Sequence, residues 1–242
     1  VNTRSGARAL LRPQPRPRRL GTLGALSVLG ALGLIAVAPA RAMARPLVVC
    51  LGDSLTEGYG LGETAGYPAR LQALLQPLGW PAIEIVNAGV SGSTSASGRA
   101  RLEWHLRRKP DVLVLALGVN DGLRGIAVET TKANLASIID LARSNDVAVL
   151  LAGMKLPSNY GPTYTKQFEA MFHDLAREKG IALLPFLLAG VAGRPDLNLP
   201  DGIHPNAEGY TIVADTVAKT LVPILRQVPT SARPQDPGHD PS

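Results

Sequence analysis

Pro46-Leu47-Val48-Val49-Cys50-Leu51-Gly52-Asp53-Ser54-Leu55 is the stretch that decides the fold class. Its first half is short, aliphatic and uncharged, as expected of a strand buried on both faces of a parallel sheet. Gly52 ends the run and Ser54 follows directly. In open α/β sheets, binding and chemistry gather at the carboxyl ends of the strands. Ser54 is therefore the first candidate for a reacting group. A serine hydroxyl alone is a weak nucleophile, so a base and an oxyanion site must come from elsewhere.

Working outward, similar apolar runs recur at Ile83–Asn87, Val112–Leu117, Ala148–Ala152 and Ile181–Leu184. Helix-period stretches lie at Tyr67–Leu78, Ala96–Arg108, Ala127–Arg143 and Tyr164–Lys179, with a last one at Ala207–Leu225. Strands alternating with helices imply right-handed crossovers and a parallel sheet covered on both faces. The pattern predicts a three-layer α/β/α domain over 45–226, a doubly wound five-stranded parallel sheet of flavodoxin-like type.

The 242 residues carry a net charge of +6, which invites a nucleic-acid or membrane reading. The charge is misplaced for that. The first 44 residues hold seven arginines and no acid, leaving −1 for everything from Arg45 onward. The body of the chain therefore has no electrostatic case for nucleic acid. The leader itself has an arginine-rich start, an uncharged run from Leu20 to Ala40 and small residues at Ala38-Pro39-Ala40 and Ala42-Met43-Ala44. It reads as a cleaved signal peptide, or else as a retained N-terminal membrane anchor, which would be the chain's one membrane contact. Residues 227–242 are Pro-rich and polar and read as a disordered tail. The single cysteine, Cys50, excludes an intramolecular disulfide and reads as a small buried hydrophobe.

Four histidines are candidates for the base. His105 reads as a solvated cation at a helix end, His173 as a half-exposed helical residue, and His239 beside Asp240 as part of the tail. His204 differs. In Leu199-Pro200-Asp201-Gly202-Ile203-His204-Pro205-Asn206, Asp201 precedes it by three residues in a glycine-containing turn. That spacing lets the carboxylate hold one ring nitrogen while the other faces outward, the task of the acid in a triad. Oxyanion donors are offered by Gly89, after the second strand, and Asn120, after the third. Trp80 and Trp104 read as packing residues, and Arg101, Arg107, Arg108 and Lys109 as a solvated basic face. No dinucleotide, P-loop, nucleophile-elbow or metal-ligand pattern is present.

Gly52-Asp53-Ser54-Leu55, Asn87-Ala88-Gly89-Val90-Ser91-Gly92, Gly118-Val119-Asn120-Asp121 and Asp201-Gly202-Ile203-His204-Pro205 together resemble the four spaced blocks of the SGNH (GDSL) hydrolases. The family letters fall on Ser54, Gly89, Asn120 and His204. The stretch Gly153–Pro162 further resembles the bacterial arylesterase, acyl-CoA thioesterase and lysophospholipase branch, whose members are typically periplasmic or secreted. The resemblance implies a serine hydrolase acting on acyl esters or thioesters. Ser54 would be the nucleophile, His204 the base and Asp201 its orienting acid. The N–H groups of Ser54 and Gly89 and the Asn120 amide would form the oxyanion hole, with no metal or organic cofactor. Leu156, Pro157 and Tyr160 are the expected substrate lining. Rival expectations are a carbohydrate deacetylase of the same superfamily and a non-catalytic binding domain on the same scaffold.

Overall fold

The computed structural model describes residues 45–62 and 64–228; the expected leader and nearly all of the expected tail, with His239 and Asp240, lie outside them. Five strands, β1 (Leu47–Gly52), β2 (Glu84–Gly89), β3 (Val112–Ala116), β4 (Ala148–Ala152) and β5 (Ala182–Leu184), form one parallel sheet in the order β2-β1-β3-β4-β5. This is the doubly wound order expected from the alternation. β1 and β3 are buried along their whole length, which is why they read as unbroken aliphatic runs. The edge strands β2 and β5 are mixed in burial and in composition.

The helices are α1 (Ser54–Glu57), α2 (Tyr67–Leu75), α3 (Gly98–Leu106), α4 (Val119–Leu123), α5 (Val128–Arg143), α6 (Pro162–Lys179) and α7 (Ala207–Leu225). α2 and α7 pack together on one face of the sheet; α3, α5 and α6 pack side by side on the other. Leu71 and Leu75 of α2, Leu135, Ile138 and Ile139 of α5, Phe168 and Phe172 of α6, and Val213, Val217 and Leu221 of α7 are buried against the strands. Each such side chain contributes about 1.5–3 kcal/mol on leaving water. Cys50 is buried, as expected.

α1 and α4 were not anticipated. At four and five residues they are too short to impose a helical period on the sequence. Their placement matters more than their length, because both begin where central strands stop. The register sets Gly52 opposite Gly89 on one side and Ala116 on the other, so three strand ends finish level. Ser54, the loop after β2 and Asn120 consequently emerge side by side. Among the described residues no helix is long and apolar enough to cross a membrane.

Candidate active site

Ser54 opens α1. Asp53 caps the helix: its Oδ1 accepts from the Leu55 N–H at 3.0 Å and its carbonyl from the Glu57 N–H at 2.9 Å. The Ser54 N–H, in the first turn, has no intrahelical acceptor, as helix geometry requires. The Tyr210 hydroxyl of α7 donates to the Ser54 carbonyl at 3.5 Å. Asp53 itself is buried, and burial pushes its carboxyl up to about 6.

The turn before α7 brings His204 to this serine. Asp201 Oδ1 accepts from the backbone N–H groups of Ile203 at 2.9 Å and His204 at 3.0 Å. Asp201 Oδ2 lies 2.7 Å from His204 Nδ1. His204 Nε2 lies 2.9 Å from Ser54 Oγ. An ionised carboxylate can only accept, so Nδ1 carries the hydrogen of the neutral ring and Nε2 accepts from the Ser54 hydroxyl. The His204 backbone N–H above all holds the Asp201 carboxyl down at about 2. The Leu199 N–H closes the turn on the His204 carbonyl at 2.8 Å. Asn206, capping α7 through the N–H groups of Glu208 and Gly209, both at 3.0 Å, anchors its exit. Pro205 therefore stands before the cap rather than in the first helical turn, bridged to Asn198. The Tyr59 ring, 49 % exposed, stacks on the imidazole with centroids 4.4 Å apart.

Gly89, at the end of β2, lies against α1. Its N–H is engaged by Asn87 Oδ1 at 3.0 Å, and a Cβ at this position would stand 2.1 Å from the Glu57 amide nitrogen. The glycine lets β2 press against the backbone of α1. The following turn holds another glycine, Gly92, at φ +73. In this turn the Val90 N–H donates to the Gly52 carbonyl at 3.2 Å, the Ser91 N–H to Glu57 Oε2 at 2.6 Å, and the Ser93 N–H to the Val90 carbonyl at 3.1 Å. Among the described residues, the Gly92 N–H is the one amide of the turn without an acceptor.

Asn120, in α4, donates through Nδ2 to the Ser93 carbonyl at 3.1 Å and to Asp53 Oδ2 at 3.3 Å. The adjacent Asp121 is fully buried and accepts from the Ser95 N–H at 2.8 Å and the Ser95 hydroxyl at 2.5 Å, locking α4 to the chain ahead of α3. Of the expected lining residues, Leu156 presses on Gly122, and the Tyr160 hydroxyl donates to the Leu123 carbonyl at 3.0 Å. Pro157 is exposed between them. The segment is thus fastened to the helix that carries Asn120.

Three readings of α3 need correction. Arg101 turns inward: its Nη2 donates to the Gly52 carbonyl at 3.0 Å and to the Ala88 carbonyl. Its Nη1 is buried without a partner, a desolvation cost incurred to reach both strand ends. Arg107, Arg108 and Lys109 stay exposed. His105 is half-buried, and burial, reinforced by Arg101 and Arg108, lowers its pKa, so it is no solvated cation. Trp104 is 58 % exposed, its ring edge-on to that of His105, whereas Trp80 does pack against the core. His173 is exposed. Among the described residues no cluster of His, Cys, Asp and Glu is arranged to hold a metal.

Sequence reasoning missed Glu57, Tyr59 and Gly92. Glu57 lies one helical turn beyond Ser54, the one spacing that could have marked it as a neighbour of the site. Comparison with known proteins places these residues in a family. A model of the GDSL-like lipase/acylhydrolase family matches residues 50–212. The chain is 41% identical over 202 residues to esterase TesA of Pseudomonas aeruginosa, covering 83% of this chain and 99% of that one. It is 38% identical over 186 residues to thioesterase 1/protease 1/lysophospholipase L1 of Escherichia coli, covering 76% and 88%. A crystal structure of TesA superposes with a TM-score of 0.71 at 40% identity, covering 74% of this chain and 99% of the other. With its four motif blocks meeting at the carboxyl end of the sheet, the chain belongs to the GDSL-like lipase/acylhydrolase family.

Proposed function

We propose that this protein is a serine esterase that hydrolyses carboxylic esters or thioesters of acyl chains through an acyl-enzyme. The observation that carries the reading is the unbroken relay Ser54 Oγ–His204 Nε2 at 2.9 Å and His204 Nδ1–Asp201 Oδ2 at 2.7 Å. In this reading the Ser54 oxygen attacks the acyl carbonyl while Nε2 takes its proton. Asp201 holds the tautomer and stabilises the imidazolium. Nε2 returns the proton to the departing alcohol or thiol, and water then attacks the acyl-enzyme by the same route. The free Ser54 N–H at the start of α1 is one oxyanion donor. Asn120 is a second, exchanging its longer bond to Asp53, 3.3 Å, for the oxyanion. The third role, expected of Gly89, passes in our reading to Gly92, whose amide is free. Leu156, Pro157 and Tyr160 supply an apolar wall for the acyl chain or leaving group.

The names of the similar proteins, an esterase and a thioesterase/lysophospholipase, support the substrate class. The arginine-led, uncharged N-terminal segment supports a periplasmic or secreted enzyme, or one anchored by that segment. The deciding experiment is a panel of p-nitrophenyl esters and acyl-CoAs of rising chain length, run on the wild type and Ser54→Ala. Hydrolysis of acyl chains that vanishes in Ser54→Ala is expected, with a phosphonate labelling Ser54 alone. Activity confined to acetylated sugars would favour the deacetylase reading. Inertness to every substrate and to phosphonates would favour a binding domain.

A further inference from the structure

The turn Val90–Ser93 is held from both sides by charged side chains that play no part in proton transfer. From α1, the Glu57 carboxylate accepts from the Ser91 N–H at 2.6 Å and from the Ser91 hydroxyl. From the end of α4, Arg124 Nη2 donates to the Gly92 carbonyl at 2.9 Å. Asn120 takes the Ser93 carbonyl at 3.1 Å. Glu57 is also tied to β2 through its main chain, its carbonyl accepting from Asn87 Nδ2 at 3.1 Å. Turn geometry alone fixes neither the tilt of a turn nor its distance from a neighbouring helix. Here the helix that bears the nucleophile grips Ser91, the residue immediately before Gly92, and Arg124, at the end of the helix that bears Asn120, grips the carbonyl of Gly92 itself.

We propose that Glu57 is a positioning residue for catalysis: its carboxylate, bound to Ser91, sets the Gly92 amide at a fixed distance from Ser54, with Arg124 as the opposing brace. This rests on the oxyanion reading given above and adds to it the device that pre-organises the pocket. Pre-organised donors stabilise the transition state because they need not reorient as charge develops. Glu57 touches no reacting atom in this scheme, so its removal should slow the chemical step and leave ground-state binding nearly intact.

The test compares Glu57→Ala, Glu57→Gln and Asn120→Ala in the full chain. Glu57→Ala is expected to lose about tenfold in kcat with KM little changed, the worth of one or two hydrogen bonds. The rate at which a p-nitrophenyl phosphonate modifies Ser54 should fall in parallel, since that reaction also builds negative oxygen in the same pocket. Glu57→Gln keeps an acceptor for Ser91 and should recover most of both rates. A Glu57→Ala enzyme with wild-type kcat and phosphonylation rate overturns the proposal. So does a loss that Glu57→Gln shares in full. Asn120→Ala separates the two levels of the argument. If it loses about 10²–10³ in kcat while Glu57→Ala loses nothing, the brace is wrong and the oxyanion pocket stands. If Asn120→Ala is also fully active, the pocket itself is misassigned.

Discussion

The two halves of the relay are built in opposite ways. Ser54 stands on a helix wedged between three level strand ends, with Asp53 buried beneath it and Gly89 pressed against the α1 backbone. Asp201 and His204 stand on an accessible turn in which the bonds to the Asp201 carboxylate and the closing Leu199–His204 bond join residues no more than five apart in sequence. Their carboxylates record the contrast. Asp53, cut off from water, is pushed up to about 6, whereas Asp201, fed by two backbone N–H groups and the ring, is held at about 2. One half owes its precision to the sheet, the other to a local turn. Changes on the sheet side should therefore damage folding as well as chemistry, and changes on the turn side chemistry almost alone.

The largest effect on the turn side should come from Asp201→Asn. The side-chain oxygen can still accept a hydrogen bond, but the imidazolium loses its charged partner and the tautomer is no longer enforced. By analogy with other triads, kcat should fall about 10⁴-fold. Thermal unfolding should move little, and a loss of folding comparable to the loss of activity would break the contrast.

Next in size is a matched pair of glycines. In Gly89→Ala the new methyl would meet backbone 2.1 Å away, which no rotamer change can relieve. About 1–3 kcal/mol of stability should be lost, and activity with it as α1 is displaced. In Gly202→Ala nothing lies within 4 Å of the new methyl, and the cost is the left-handed φ of +70 alone, about 1 kcal/mol. Urea midpoints measure both. A Gly202→Ala more harmful than Gly89→Ala would reverse the assignment of rigid and local halves.

The last contrast lies in the pH dependence of stability. Asp53 binds its proton more readily folded than unfolded, since its value of about 6 lies above the usual 3.8. Its contribution therefore becomes more favourable as pH falls from about 6 towards 3.8. Asp201 works the other way. Its stabilisation is complete above 3.8 and is lost as pH falls through about 2. Urea titrations across pH should show Asp53→Asn flattening the first limb and Asp201→Asn the second. The same limb responding to both variants would mean that the two carboxylates titrate as one site.

Legibility from the sequence followed the same divide. The Asp201–His204 pair was readable because three residues of separation in a turn already bring carboxylate and ring together. The strands were readable because β1 and β3 are apolar on both faces. Strand ends shifted by one or two residues, as at β2, expected at Ile83–Asn87 and found at Glu84–Gly89. Arg101 was misread because helical periodicity reports which way a Cα–Cβ bond points, not where a long guanidinium arm ends. Trp104 was misread because its bulk resembles core, while α3 turns it to solvent.

The α/β class, the doubly wound alternation, the family blocks and the local Asp201–His204 turn are written in the order of residues, because each rests on hydrophobic period or short spacing. That Gly89 seats α1, that Gly92 keeps its amide free, that Arg101 turns inward and that Glu57 grips Ser91 emerges from the folded chain. Those outcomes depend on which strand ends finish level and which backbone groups remain unpaired. Both are settled by packing between segments far apart in the chain.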